Sequence, residues 1–225
     1  MFNFKCSPLP FASALRASLR LALVVSLLAF GPAFGSAYDD VLSAVRRGDT
    51  STVLVLLKRG VDVNSVDGNG NALIAIAAEG GFAPTVDALG QAGARVDLRN
   101  RYGESALMLA SIRGHAPVVR LLIDRGADVN PAGWTPLMYA ASRGQLEVAK
   151  LLIAFGARVD AASENGTTAL MLATRESTIA MVRLLHQAGA NVRWANANGH
   201  TALGWALDIG KPDIAEFLIS VGAKD

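Results

Sequence analysis

The sequence has very little cysteine, since Cys6 is the only one in 225 residues. A disulfide framework and a cysteine-based zinc site each need more than one cysteine, so both are excluded. Charged residues are also scarce, at 18%, whereas hydrophobic residues make up 52% and the mean hydropathy is +0.34. Disordered chains are rich in charge and poor in apolar residues, so this composition predicts a folded protein.

Acidic residues are absent from the first 37 positions, whose basic residues are Lys5, Arg16 and Arg20. An apolar run covers residues 21–30, and small residues follow it. A basic start, an apolar stretch of this length and a small-residue exit are typical of a secretory signal peptide. We therefore expect residues 1–37 to be a signal peptide cleaved after Ala37, which leaves residues 38–225 in the periplasm or secreted from the cell.

An uncleaved membrane anchor is the alternative interpretation of the same segment. Residues 21–38 are 18 positions without a charge, at the lower end of the roughly 17–25 that span a bilayer. Pro32 weakens a continuous spanning helix, because proline removes a helical hydrogen bond. Cleavage is therefore the preferred prediction, with no stable membrane insertion of the mature chain.

The charge balance changes once residues 1–37 are set aside. Three of the 21 basic residues lie there, so the remaining chain has 18 basic residues, 19 acidic ones and no cysteine. The whole-chain isoelectric point of 8.9 therefore does not describe the mature chain. A near-neutral chain has no overall field that attracts a polyanion, so we expect no nucleic-acid partner. The lack of cysteine suits an oxidising compartment.

A repeat of about 33 residues runs through the rest of the chain. Six turns lie 12 residues before a second glycine, and the first members are 33, 33, 30, 33 and 33 residues apart. The pairs are Gly48/Gly60, Gly81/Gly93, Gly114/Gly126, Gly144/Gly156, Ser177/Gly189 and Gly210/Gly222. A fixed period of this length indicates a repeat architecture.

Each period contains the signals of two helices. The second helix has its apolar residues on one face, as at 118–122 and 181–185. The second glycine fits a left-handed residue just past a helix end, and a short β-capable stretch such as 61–64 follows it. An Asp, Ser or Thr that can cap the first helix precedes it in five of the six periods. These residues are Asp39, Ser105, Thr135, Thr168 and Thr201, with Ala72 as the exception.

The stretch 133–144, which contains Thr135-Pro136-Leu137, resembles an ankyrin repeat when it is read together with 146–153 and 156–160. The resemblance extends over 38–225 as one domain of six units, at about 38–66, 67–99, 100–130, 131–162, 163–195 and 196–225. It implies an all-α solenoid of stacked helix pairs with β-hairpin fingers and a concave binding face. The implied function is a non-enzymatic scaffold for protein–protein interaction.

The sequence departs from the ankyrin pattern in two places that matter. No unit keeps the histidine of the family motif, and Met108, Met138 and Met171 stand in its place in three consecutive units. We expect these methionines to be adaptable apolar filling. The fourth unit lacks three finger residues around 130–133, which should leave a notch in the row of fingers.

Catalytic, cofactor and metal sites are not expected in this chain. The three histidines are His115, His186 and His200, and no two of them have the spacing of a metallohydrolase motif. An enzyme or small-ligand binder built into the solenoid is the rival interpretation. It predicts ionisable residues clustered in one pocket, whereas the sequence spreads them over the units.

The resemblance places partner-binding residues at the finger tips and just before the first glycine of each unit. The helix positions are Arg47, Arg113 and Arg143, with Arg175 one residue away, and the finger tips add Arg101, Tyr102 and Trp134. Arginine and aromatic residues dominate binding hot spots, and arginine pairs with carboxylates. We expect a monomer with a groove that receives an acidic segment of another protein. Two alternatives stay open: the arginines serve solubility, and Trp134 folds over the gap left by the short finger.

Overall fold

The computed structural model describes residues 37–176 and 178–224. The predicted signal peptide, residues 1–37, therefore lies outside the described residues except for Ala37. Ser177 also lies outside them. The described part of the chain contains 12 α-helices and no β-strand. The first, α1, covers 37–47. The others are α2 (Thr50–Lys58), α3 (Leu73–Glu79), α4 (Ala83–Gln91), α5 (Ala106–Arg113), α6 (Ala116–Asp124), α7 (Pro136–Ser142), α8 (Leu146–Ala154), α9 (Ala169–Glu176), α10 (Ile179–Gln187), α11 (Ala202–Asp208) and α12 (Pro212–Ser220).

The helices form six consecutive pairs that stack side by side. The first helices of successive pairs contact one another in the order α3, α5, α7, α9, α11, and the second helices do so from α2 to α12. Each pair buries its apolar faces against the next one, which is how solenoid repeats are stabilised. The predicted fold class, an all-α solenoid of stacked helix pairs, is confirmed. Among the described residues, no helix is both long and apolar enough to cross a membrane.

The core follows the first helices. Their small and branched residues are almost fully buried, and the three methionines that replace the family histidine are at most 1% exposed. Met108 also takes part in the start of α5, because its Sδ accepts a hydrogen bond from the backbone N of Ser105 at 3.4 Å. The methionines are therefore core residues, as expected. Met181 on α10 is buried as well.

The first helices begin at the predicted caps in four cases. The side-chain oxygens of Ser105, Thr135, Thr168 and Thr201 each accept from the backbone amide three residues later, at 2.9–3.5 Å. Ala72 makes no such bond. The prediction for Asp39 is wrong, because α1 is already helical at residue 37 and Asp39 lies inside it. The acidic cap of this unit is Asp49, which accepts from Thr52 at the start of α2.

The second glycine of every unit has a positive φ, between 82° and 94°. Only glycine adopts this region without strain, so it ends each second helix and lets the chain turn towards the next unit. The stretches that follow, expected to be β-like, form turns instead. Their backbone is too short and too sharply bent for a ladder, and only single antiparallel bridges occur in the described residues, as between Val66 and Ala72.

Five connections between units form the fingers, numbered here from the first to the fifth: 61–72, 94–105, 127–135, 157–168 and 190–201. In four of them a backbone hydrogen bond closes the tip, from the amide of one residue to the carbonyl four positions on. The amides belong to Asp67, Asn100, Ser163 and Asn196. The side chain of each also accepts from tip amides, so it locks the turn. Asn100 Oδ1, for example, accepts from the amides of Tyr102 and Glu104, both at 2.9 Å.

The third finger lacks this lock. Gly133 is the counterpart of Gly103 and Gly166, which also lie two positions before the cap and have a positive φ. Only Pro131 and Ala132 stand between Asn130 and Gly133, and neither side chain can accept a hydrogen bond. The shorter backbone also makes no closing hydrogen bond.

The first and second finger tips are joined by Arg101 N to Asn69 O, and the fourth and fifth by Ala197 N to Asn165 O. Within the described residues no such tip bond joins the third finger to either neighbour. The predicted notch is therefore present.

The bases of the fingers remain connected through all five. The side chains of Asn64, Asp97, Asn130 and Asp160 each accept from a backbone amide of the next finger, at 2.7–3.1 Å. This set is called the base ladder below. It continues through the short finger, where Asn130 also donates to Gly156 O at 2.8 Å. The shortening of the third finger by three residues therefore removes the bonds between tips and leaves the connections at the bases unchanged.

Candidate protein-binding face

Two of the predicted arginines meet in one cavity. Arg113 at the end of α5 and Arg143 just after α7 line a space of about 630 Å³ with Glu79, Glu104 and Gln145. We call it the arginine cavity. It lies beside the C-terminal ends of α3, α5 and α7, next to the second finger.

The two arginines differ in what they already contact. Arg113 Nη2 pairs with Glu79 Oε1 at 2.6 Å, and both side chains are partly exposed. An ion pair in such a place contributes little to stability, about 0–1 kcal/mol. The Arg143 side chain makes no ion pair or hydrogen bond with any residue that the structure describes. Arg143 is therefore the arginine of this cavity whose charge is available to a partner.

The remaining predicted arginines lie elsewhere. Arg175 pairs with Glu176 at 2.7 Å, and its guanidinium lies 5.1 Å from the ring centre of Trp205. Arg101 is at the tip of the second finger, with its amide bonded to Asn69. Arg47, predicted together with Arg113 and Arg143, does not line the arginine cavity with them.

Arg47 lines a separate cavity with Asp40, Ser51 and Arg59, between α1 and α2. Its neighbour Arg46 takes the place towards the fingers and pairs with Asp67 at 3.5 Å. Burial alone would raise the pKa of Asp67, but hydrogen bonds from Asn71 and Asn69 and the Arg46 charge hold it below its ordinary value.

The predicted aromatic residues Tyr102 and Trp134 share a second cavity, of about 460 Å³, at the short finger. Tyr102 comes from the tip of the second finger and is 74% exposed, and Trp134 is 43% exposed. Tyr139 of α7 completes the set, with its ring centre 5.5 Å from that of Trp134 and the planes tilted by 57°. These three residues are called the aromatic notch. Trp134 packs beside Tyr139 at the short finger and stays accessible.

Tyr139 links the two cavities. Its hydroxyl donates to Glu104 Oε1 at 3.1 Å, and Glu104 lines the arginine cavity. Burial and then the Glu104 charge raise the pKa of Tyr139 from 10 to about 12. The hydroxyl therefore stays protonated and keeps donating at any physiological pH. The second Glu104 oxygen accepts from Asn100 Nδ2 at 2.8 Å.

Tyr139 was missed by sequence reasoning. Its position is occupied by Leu109 and Leu172 in the neighbouring units, where the side chains are buried. A tyrosine between the leucines of the two neighbouring units, next to a shortened finger, was the available signal. Glu164 and Arg99, which also line the notch cavity, stand out only once the fingers are placed in space.

The histidines remain separate in the structure. His115 Nε2 lies 3.0 Å from the carbonyl of Glu79, His186 packs edge-on against Phe217, and His200 lies beside Trp205. In the part of the chain that the structure describes, no group of three or more His, Cys, Asp or Glu is arranged to hold a metal ion.

Comparisons with known proteins agree with this architecture. A segment of 86 residues is 41% identical to the mouse (Mus musculus) B-cell lymphoma 3 protein homolog, and covers 38% of this chain and 19% of that protein. Among solved structures, the complex of the Bd0816 predatory endopeptidase from Bdellovibrio bacteriovorus with immunity protein Bd3460 contains a similar chain. The TM-score is 0.72 at 29% identity, over 80% of this chain and 97% of that one.

The family is shown by a match along the whole described stack. The family model for ankyrin repeats (3 copies) matches three overlapping segments, at residues 41–132, 74–163 and 137–225. Ankyrin repeats indicate a scaffold for protein–protein interaction. The chain therefore belongs to the ankyrin repeat family.

Proposed function

We propose that this chain is an exported, non-enzymatic scaffold that binds another protein at the arginine cavity, through an acidic segment of that partner. The observation that carries the proposal is the meeting of Arg113 and Arg143 in one cavity beside the fingers. A carboxylate placed there forms a charge-assisted hydrogen bond with the free Arg143 guanidinium. Arg113 is paired with Glu79, and the Glu104 oxygens accept hydrogen bonds from Tyr139 and Asn100, so the attraction for a carboxylate comes chiefly from Arg143.

Export is supported by the sequence of residues 1–37, with its basic start, apolar run and small-residue exit. The mass of the protein recovered from cells tests this part. A chain that begins at Tyr38 supports cleavage and export. A chain that keeps residues 1–37 and sediments with membranes would instead favour a tethered adaptor.

The binding site is tested by charge reversal at Arg143. We expect the purified Arg143→Glu variant to retain exported proteins about tenfold more weakly than the native chain, equivalent to about 1.4 kcal/mol. Arg59→Glu is the matched control, because Arg59 follows α2 as Arg143 follows α7 but lines a different cavity. Thermal unfolding of both variants should stay close to native. Equal retention by all three proteins contradicts the proposed site.

A more specific partner class is favoured by the structural similarity to a chain from an endopeptidase–immunity protein complex. The proposal is that the partner is an exported peptidase and that binding restrains it. Peptidase activity of exported proteins is measured with and without the purified chain, using Arg143→Glu as the control. Loss of activity with the native chain alone supports this class, and unchanged activity despite retention of a partner points to a scaffold without inhibitory action.

A further inference from the structure

The aromatic notch is the most accessible group of aromatic side chains that the described residues bring together. Tyr102 and Trp134 expose 74% and 43% of their surfaces at one cavity, with Tyr139 forming its floor. Trp and Tyr are enriched at protein interfaces, and a contiguous group of exposed aromatic side chains marks a candidate binding surface. The cavity of about 460 Å³ opens between the second and fourth fingers, so it suits one side chain of a bound protein.

The charges beside the notch favour a cation. Glu164 lines the cavity, is exposed, and makes no ion pair or hydrogen bond with any described residue. Glu104 lies behind Tyr139 and accepts a hydrogen bond from its hydroxyl. The free Glu164 carboxylate thus accompanies three rings, whose faces carry negative electrostatic potential.

Arg99 is the opposing charge, and it is held at the rim. Its Nη1 donates to the carbonyl of Gly103 at 3.2 Å, in the turn of the second finger. Arg99 and Glu164 are the two charged side chains that line the cavity, so their formal charges balance. The Arg99 guanidinium is engaged by Gly103 O, whereas the Glu164 carboxylate has no partner among the described residues. An acidic side chain would meet the free Glu164 carboxylate and the negative faces of the rings, which makes an anion the less favourable occupant.

The arginine cavity lies next to the notch, since Glu104 lines the first and bonds to Tyr139 of the second. The two sites differ in charge: Arg143 offers a free cation on one side of Glu104, and Glu164 offers a free carboxylate on the other. A single partner segment can therefore contact both only if it carries an acidic and a basic side chain.

We propose that the aromatic notch binds the side chain of a lysine or arginine of the partner protein, with the cation over Trp134 and Tyr102 and its charge met by Glu164. This inference rests on the proposed function, because it assumes that a protein docks against the fingers. It adds a second, oppositely charged contact to the one at Arg143.

The test uses blocked amino acids as probes, so that it does not depend on knowing the partner. The native chain, labelled with nitrogen-15, is titrated at constant ionic strength with N-acetyl-lysine amide, N-acetyl-arginine amide, N-acetyl-norleucine amide or N-acetyl-glutamate amide. We expect saturable shifts of the Trp134 indole N–H and of the Tyr102 and Gly133 amides with the two cationic probes alone. Norleucine has the alkyl chain without the charge, so it separates a cation site from an apolar one.

Two variants assign the contacts. Trp134→Ala should abolish saturation, and Glu164→Gln should weaken the lysine probe about fivefold, in line with the loss of a contact worth about 1 kcal/mol. Glu147→Gln on the exposed start of α8 is the matched control and should bind like the native chain. Equal binding of norleucine and lysine, binding of glutamate, or no saturable shift at the notch each overturns the inference. None of these results affects partner retention through Arg143, so the two proposals fail separately.

Discussion

The first, second, fourth and fifth fingers, called the long fingers below, and the shorter third finger lie on the same stack of helices. They differ in the hydrogen bonds that connect them to their neighbours. Adjacent long fingers are hydrogen-bonded to each other at their tips as well as at their bases. The tip bonds join Arg101 to Asn69 and Ala197 to Asn165. The third finger has the base ladder alone, through Asp97 and Asn130. The helices beneath it pack as they do elsewhere, with α5 against α7 and α7 against α9.

This difference shows that the helix layers and the finger tips are separable parts of the molecule. Removing three residues from a finger changes the surface from a closed turn to an open aromatic cavity. The packing of the helices is the same at the short finger as elsewhere, because the buried residues of α5, α7 and α9 make their contacts below the fingers. The helix layers therefore set stability, and finger length sets what the surface can bind.

The largest effect is expected from a change in the helix layer beneath the notch. Met138→Ala removes a fully buried side chain of α7, which costs about 2–5 kcal/mol in the free energy of unfolding. Urea unfolding followed by circular dichroism measures it. Ile219→Ala, at a side chain that is 57% exposed, is the control and should change stability by less than about 0.5 kcal/mol. Similar losses in the two variants would contradict the conclusion that the buried contacts of the helix layers set stability.

An intermediate effect is expected in the base ladder. Asn130→Ala removes an acceptor for Arg158 N and a donor to Gly156 O, and each bond contributes about 0.5–1.5 kcal/mol. We expect a loss of about 1–3 kcal/mol, measured by urea unfolding.

Asn64→Ala is the matched variant in a long finger. It removes a single ladder bond, to Arg95 N, and leaves the tip bonds between the first and second fingers in place. Its loss should be about 0.5–1.5 kcal/mol. If both variants lose the same amount, the base ladder is no more important at the short finger than elsewhere.

The smallest effect concerns the link between the two cavities. Burial and the Glu104 charge raise the pKa of Tyr139 to about 12. Because the folded-state pKa lies above the ordinary value of 10, the neutral tyrosine stabilises the fold below pH 10, and this contribution is lost as the pH rises through 12.

Glu104→Gln should lower the pKa of Tyr139 towards 10 and weaken the alkaline loss of stability. The absorbance of ionised tyrosine as a function of pH reports the shift, and Tyr139→Phe identifies which ionisation belongs to this residue. Glu164→Gln is the control, since Glu164 does not bond to Tyr139. An unchanged titration in Glu104→Gln would mean that burial alone sets this pKa.

The helix pairs could be predicted from the sequence because their signals are local and repeat. Positive-φ glycines, capping Ser and Thr residues and apolar faces recur every 30–33 residues. Asp39 shows where this fails: the first unit has the pattern of a cap, yet the helix is already formed at residue 37. A capping residue marks a helix start only where the preceding backbone is extended.

The candidate site was less predictable because its contacts join residues about 30–35 positions apart. Arg113 and Glu79 lie on neighbouring units, so the neutralisation of Arg113 depends on how the units stack. The same applies to Tyr139, whose partner Glu104 belongs to the preceding finger. A column of arginines in an alignment of units does not show which of them is paired. That distinction needed the side-chain positions.

Burial of the methionines has a chemical consequence. Met108, Met138 and Met171 lie at three successive levels of the stack, Met181 shares the level of Met171, and all four are at most 1% exposed. An oxidant such as peroxide converts a thioether to a polar sulfoxide only where it can reach the sulfur, which here requires the surrounding unit to open. The rate at which each of these residues is oxidised therefore reports how often its own level of the solenoid comes apart.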